Sequence, residues 1–281
     1  MDFTLAVQPP FSLQSVLRSH GWIQLAPFVG EDSYQEFNYA NQLDSGRTTS
    51  WQVLPAEGGL RVTVEGELSG LEEAEIVKKL TWMLSLDRDL SSFYAVASQE
   101  PKLAHVVDKV EGRILRSSSF FEDTVKTILT TNTAWSGTKR MALALVELYG
   151  KPLSGEPTQR AFPTPAQLAA ADVEALRQEA KLGYRAPYVS ELARRVDSGE
   201  LDLEAYKTAD LPSADLRKEL LTIKGIGAYA AANLLMLLGR TDYIPIDSYA
   251  LKVVSDEFHD GQPVKPADVE AAFERFGEWK G

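Results

Sequence analysis

The chain has 281 residues, 44% hydrophobic and 25% charged, enough to bury one large core or two ordinary ones. It contains no cysteine, which excludes disulfides, thiolate zinc and a cysteine-held iron–sulfur cluster, and its three histidines (His20, His105, His259) are scattered without metal-ligand spacing. The net charge of −11 argues against a simple nucleic-acid binder, which is usually basic; residues 1–110 carry 15 acidic and 8 basic side chains, residues 111–281 carry 25 and 21.

The N-terminus, MDFTLAVQPPFSL, has neither the basic start nor the long apolar centre of a secretory signal, and no apolar run approaches a membrane span, so a cytoplasmic protein is expected. Ser12 to Gly21 reads as a short helix with a glycine stop, and Trp22 to Val29 as a strand. Further strands are expected over 35–43, 49–54 and 60–67. In the last, Leu60, Val62 and Val64 alternate with Arg61, Thr63 and Glu65, the pattern of a strand with one buried face. Asp44-Ser45-Gly46 and Glu57-Gly58-Gly59 suit hairpin connections. Ile76, Leu80 and Leu84 share one face of a helix over 71–86 that would cover this sheet.

From about residue 90 the pattern is helical, broken at glycines, prolines and the serine run 117–119, with a long loop expected from Lys151 to Pro165. The expected division is an N-terminal α+β domain over 1–105, a small antiparallel sheet with helices, followed by an all-α domain over 106–281.

The most informative stretch runs from 213 to 254. Ser213 is a good helix N-cap, and Leu216, Leu220 and Leu221 space an apolar stripe behind it. Lys224-Gly225-Ile226-Gly227 stops that helix, Ala228 to Leu238 forms a second one, and Gly239 closes it. Amides at the glycines and in the first turn of the second helix lack intrahelical acceptors and carry partial positive charge, so a phosphate fits there without a lysine. Farther on, Pro245 forces an extended approach and Asp247 stands at the start of a third helix, where a carboxylate is stabilised as the anion. Taken alone, Asp247 is an ordinary N-cap, and a lone Gly-x-Gly is an ordinary turn.

In combination, hairpin, Pro-x-Asp and third helix resemble the helix-hairpin-helix, Gly/Pro-rich-loop, Asp (HhH-GPD) superfamily of DNA base-excision glycosylases. The likeness extends to Ser119–Tyr149 and to the Phe-Pro-Thr-Pro and Leu-Gly-Tyr-Arg segments within 161–189, and more loosely upstream to the 3-methyladenine glycosylase II and 8-oxoguanine glycosylase branch. It implies a fold of an α+β N-terminal domain followed by an all-helical glycosylase domain. It also implies that Asp247 is the catalytic carboxylate, steadying an oxocarbenium-like sugar as the base departs.

Tyr229 occupies the position where bifunctional relatives carry a lysine that forms a Schiff base, so the resemblance implies a monofunctional enzyme that uses water. Tyr229 would line the base pocket, or be a core aromatic of the second helix. Gly225, Gly227, Lys224 and Ala228 would face the DNA backbone. Asn132 would fill the gap left by the flipped nucleotide or read the orphan base, or else only mark a helix end, and Tyr184 and Arg185 would reach a phosphate or the orphan base, or simply pack. Carbonyls of Leu221, Ile223 and Ile226 would hold a monovalent cation; no other cofactor is implied. Lys139, Arg140, Arg217 and Lys218 read as phosphate contacts or as solvated helix faces.

Phe276 to Gly281 resembles the start of the family's last helix, so the domain reads as cut short there. The partner expected is double-stranded DNA with a damaged base, bound by a monomer associated with the nucleoid of a bacterial cell and not with a membrane. Alkylated purine is the first expectation for the base. Mismatched thymine or uracil, 8-oxoguanine, and a catalytically silent lesion sensor are the alternatives.

Overall fold

The computed structural model describes residues 1–30 and 33–281. It divides into two compact units, Met1–Leu201 and Asp202–Gly281. The first opens with an antiparallel sheet built from β1 (Asp2–Ala6), β2 (Phe28–Gly30), β3 (Phe37–Gln42), β4 (Thr48–Ala56) and β5 (Gly59–Val64), in the order β1-β5-β4-β3-β2. Trp51 pairs with Val64 and Val53 with Val62, and all four are buried, whereas Arg61 lies on the wet face. The alternation read from the sequence therefore sets which face packs.

The expected strand over 22–29 is corrected: Trp22–Gln24 forms a 3₁₀ turn, and only the three residues after Pro27 pair as β2. Proline cannot donate to a ladder, so pairing begins beyond it. β1 went unread because its alternation covers only a few residues.

Helix α1 (Leu13–Arg18) is capped by Ser12, and α2 (Gly70–Met83) by a Ser69–Glu72 capping box, with Ile76, Leu80 and Met83 buried. Short helices α3 (Ser91–Ala97) and α4 (Ala104–Asp108) follow, then α5 (Phe120–Thr130) and α6 (Trp135–Tyr149). The loop expected over 151–165 contains a small hairpin, β6 (Pro152–Leu153) with β7 (Glu156–Arg160), turning at Gly155 in the left-handed region. Helices α7 (Pro165–Ala169), α8 (Val173–Gln178) and α9 (Ala186–Asp197) complete the unit.

The first unit runs well past the expected boundary at 105/106 because α5 is stitched to the sheet segment. Tyr39 Oη donates to Glu122 Oε2 at 2.5 Å, Asn41 Nδ2 to Ser118 Oγ at 2.7 Å and Trp22 Nε1 to Asp123 Oδ1 at 2.8 Å. Every residue of α5 from Phe120 to Leu129 is buried, including Glu122, Asp123 and Lys126. A helix buried all round must carry its polar groups in pairs, and Lys126 Nζ meets Glu122 Oε1 at 2.6 Å, one turn away.

Two buried groups here titrate against each other. Burial pushes the Asp123 carboxyl up to about 6, against the hydrogen bonds from Ser117 and Trp22. Burial pushes His20 down to about 4, against its 2.6 Å hydrogen bond to the Leu115 carbonyl. As pH falls from about 6 to about 4, the folded chain takes up the Asp123 proton, which stabilises it. The unfolded chain takes up the His20 proton, which destabilises the fold by a similar amount. Asp123→Asn should unmask the histidine: relative to the parent, stability should fall by an extra ~1.4 kcal/mol per pH unit over that window. Urea unfolding at three pH values checks this, and equal slopes would refute it.

The second unit contains α10 (Ser213–Leu220), α11 (Ala228–Leu237), a loop over 241–246, α12 (Ser248–Phe258) and α13 (Pro266–Phe273). Pro212, not Ser213, occupies the N-cap position of α10, and Leu221 lies past its end, 38% exposed. Leu216 and Leu220 carry the stripe alone. The residues that read as the start of a long last helix form a short 3₁₀ segment, Glu274–Trp279, broken at Gly277, whose φ of +58° is left-handed. That segment is tied to the loop before α12: Thr241 Oγ1 donates to the Glu278 carbonyl and the Gly281 amide to the Thr241 carbonyl, both at 2.7 Å. Among the described residues no helix is long and apolar enough to cross a membrane.

Candidate active site

The turn between α10 and α11 is held by a bond from the Ile226 amide to the Ile223 carbonyl at 3.0 Å. Gly225 has φ +89°, a conformation that costs a side chain energy. Gly227 differs: its φ of −96° is open to any residue, and a Cβ built there meets nothing within 4 Å. Its glycine is therefore not required by the turn; it leaves the backbone exposed in front of the first turn of α11. That ten-residue helix is buried over Ala230–Leu235 and at Leu237, so its axis is fixed and its positive end faces outward at the turn.

The residues before α12 run extended, and Asp247 caps the helix. Its Oδ1 accepts the Ala250 amide at 2.9 Å, while the residue stays exposed. The cap restricts the carboxylate without burying it. Its chain neighbour Ile246 lines a cavity of ≈ 560 Å³ together with Tyr229, Ala232, Tyr243, Asp242 and Arg217. The second unit thus places Ala228 and Tyr229, at the start of α11 just after the Gly-x-Gly turn, and the segment leading into Asp247 around one hollow. Lys224, in the turn, is exposed.

Asn132, Tyr184 and Arg185 form a separate cluster in the first unit. Asn132 follows the end of α5 with φ +46°, and its Nδ2 lies 3.4 Å from Tyr184 Oη. Tyr184 Oη also donates to the Thr131 carbonyl at 3.3 Å. Arg185 is buried: its Nη2 donates to the same carbonyl and its guanidinium lies 4.5 Å from the Tyr184 ring centroid, which matches the packing alternative read from the sequence. It braces the bend that presents Asn132, while Tyr184 remains 45% exposed. Of the basic residues read as phosphate contacts or solvated faces, Lys218 pairs with Asp215 on the surface, and Arg217 lies over the Tyr243 ring.

The sequence alone does not mark Asp242 and Tyr243 as site residues. An acid and an aromatic ahead of a proline carry no periodic or motif signal, and only folding places them against α10 and α11.

Residues 125–278 match the family described as HhH-GPD superfamily base excision DNA repair protein. The chain belongs to that family. Over 183 residues it is 28% identical to the DNA-3-methyladenine glycosylase of Bacillus subtilis, covering 63% of this chain and 59% of that relative's length. Over 225 residues it is 25% identical to a probable N-glycosylase/DNA lyase of Methanothermobacter thermautotrophicus, covering 72% and 70%. The fold is similar to the structure of 3-methyladenine DNA-glycosylase from Archaeoglobus fulgidus, with a TM-score of 0.78, 25% identity and coverage of 100% of this chain and 94% of that one. The matched residues of this HhH-GPD chain include α10–α11 and Pro245–Asp247.

Proposed function

We propose that the chain is a monofunctional DNA N-glycosylase, which extrudes a damaged base from double-stranded DNA and hydrolyses its bond to deoxyribose, with alkylated purines as the first substrate class. The observation that carries this reading is the exposed Asp247 carboxylate, held by the Ala250 amide one residue after Ile246, which lines a cavity together with Tyr229.

In the proposed reaction, first-turn amides of α11 receive a backbone phosphate in front of Gly227. The base enters the cavity, where Tyr229 and Tyr243 offer aromatic faces. As the C1′–N bond breaks, electrons leave with the base and positive charge develops on the sugar. Asp247 stabilises that charge, and water adds to C1′ from the opposite face and releases its proton to solvent. A purine already positive through alkylation leaves neutral and needs no proton donor. The relatives named 3-methyladenine glycosylases support this class.

High-performance chromatography of bases freed from methylated duplex DNA tests the reading, with 3-methyladenine or 7-methylguanine as the expected products and an uncut abasic strand left behind. The relative named as a lyase favours a second reading, in which an amine attacks the sugar. Tyr229 has no amine, and Lys224 is the lysine of the hairpin itself. Borohydride should therefore trap no covalent protein–DNA adduct; an adduct lost in Lys224→Gln would establish the second reading.

Gly227→Ala should leave the melting temperature nearly unchanged, because the backbone there tolerates a Cβ and open space surrounds it. It should weaken duplex binding by about tenfold, the loss of one close amide–phosphate contact. Unchanged affinity would remove the phosphate from that turn. The carbonyls of Leu221, Ile223 and Ile226 fit a monovalent cation, since all are neutral oxygens at one turn and Ile223 keeps a lone pair beyond its bond to Ile226. When bound, the ion would offset phosphate charge. The same titration in potassium and in tetramethylammonium at equal ionic strength reads its presence.

A further inference from the structure

The hollow beside α11 holds a charge arrangement that the reaction above does not use. Asp242 Oδ1 is shielded from solvent and has no hydrogen-bond partner, and Arg217 Nε in the same lining is in the same condition. A shielded acceptor left without a donor is costly, and a shielded carboxylate oxygen more so. The positive groups nearby are already engaged. Arg217 lies over the Tyr243 ring at 5.3 Å from its centroid, and Lys280 Nζ holds Glu274 Oε2 at 2.9 Å. The lining carries three acids, Asp242, Glu270 and Glu274, against Arg217 and Lys280. Its formal sum is one negative charge, and its volume lies in the range of small-molecule sites.

We propose that Asp242 is a specificity-determining residue: its carboxylate receives the N–H edge or ring charge of the extruded base and so favours positively charged purines over neutral ones. Arg217 Nε, in the same lining, supplies a donor for a base carbonyl, and Tyr229 and Tyr243 give the flat faces. The assignment rests on the glycosylase reading for its ligand but not for its charge logic. A cation in this hollow gains attraction in a low-dielectric setting and relieves a shielded oxygen, whereas a neutral base gains only the hydrogen bond.

The test separates the two. Binding of 7-methylguanosine, positively charged on its ring at pH 6, is compared with binding of neutral guanosine by NMR titration of the full chain. The parent should prefer the cation by about tenfold. Asp242→Asn should bring that ratio near one while leaving guanosine binding in place, and Asp242→Ser serves if the first variant does not fold. No preference in the parent, or a preference that survives the substitution, overturns the assignment. Base release from methylated DNA is then measured on the same parent. A chain that prefers the cation yet frees no base loses the glycosylase reading and keeps Asp242. A chain that frees charged and neutral bases alike, with no binding preference, keeps the first and loses the second.

Discussion

Asp247→Asn should slow release of an alkylated base by about 10²–10³-fold, the range seen when one preorganised electrostatic contact to a transition state is removed. Asparagine is as good an N-cap as aspartate, and its Oδ1 can accept the Ala250 amide just as the carboxylate does at 2.9 Å. The fold and the melting temperature should therefore hold. What disappears is a full negative charge facing a sugar that turns positive. Affinity for undamaged duplex should stay the same or tighten, because a phosphate backbone no longer meets that anion. Single-turnover base release and duplex titration, measured on one preparation, read the two effects apart. A variant as fast as its parent would show that Asp247 only caps α12.

The second large effect concerns stability. Lys126→Met should destabilise the first unit by about 3–5 kcal/mol, the usual cost of removing one partner of a buried ion pair. Lys126 and Glu122 have side chains 0% and 2% exposed and sit 2.6 Å apart. Tyr39 Oη donates to the other Glu122 oxygen, and the Lys126 ammonium lies 4.9 Å from the Phe28 ring centroid. Methionine matches the lysine stem and strands the carboxylate. Restoring neutrality should restore stability: Glu122→Leu added to Lys126→Met should regain most of the loss. Urea unfolding followed by tryptophan emission reads this, since Trp22, Trp51, Trp82 and Trp135 all lie in the first unit. A loss below 1 kcal/mol would mean that water reaches the pair.

Much of this chain is written in short-range chemistry. The glycines of the α10–α11 turn, the capping carboxylate of α12 and the alternation of β5 each depend on a few neighbouring residues. Propensity, capping and period could therefore identify them from the chain alone, with the fold class and family that follow. Some short-range readings still slipped by a residue or two, as at Ser213 and Leu221, because a helix end is settled by which neighbours pack.

What lay beyond such reading has one physical cause: it is made by residues far apart in the chain. Glu122 and Lys126 look like an exposed helical pair until a sheet some eighty residues upstream supplies Tyr39 and closes over them. Arg185 reads equally as a contact or as a packed residue until the bend at Thr131 offers it a carbonyl. The lining of the hollow draws on Arg217, Tyr229, Asp242 and Lys280, none of them periodic with the others. Their charges, and the shielded oxygen that selects a ligand, exist only once the helices have packed.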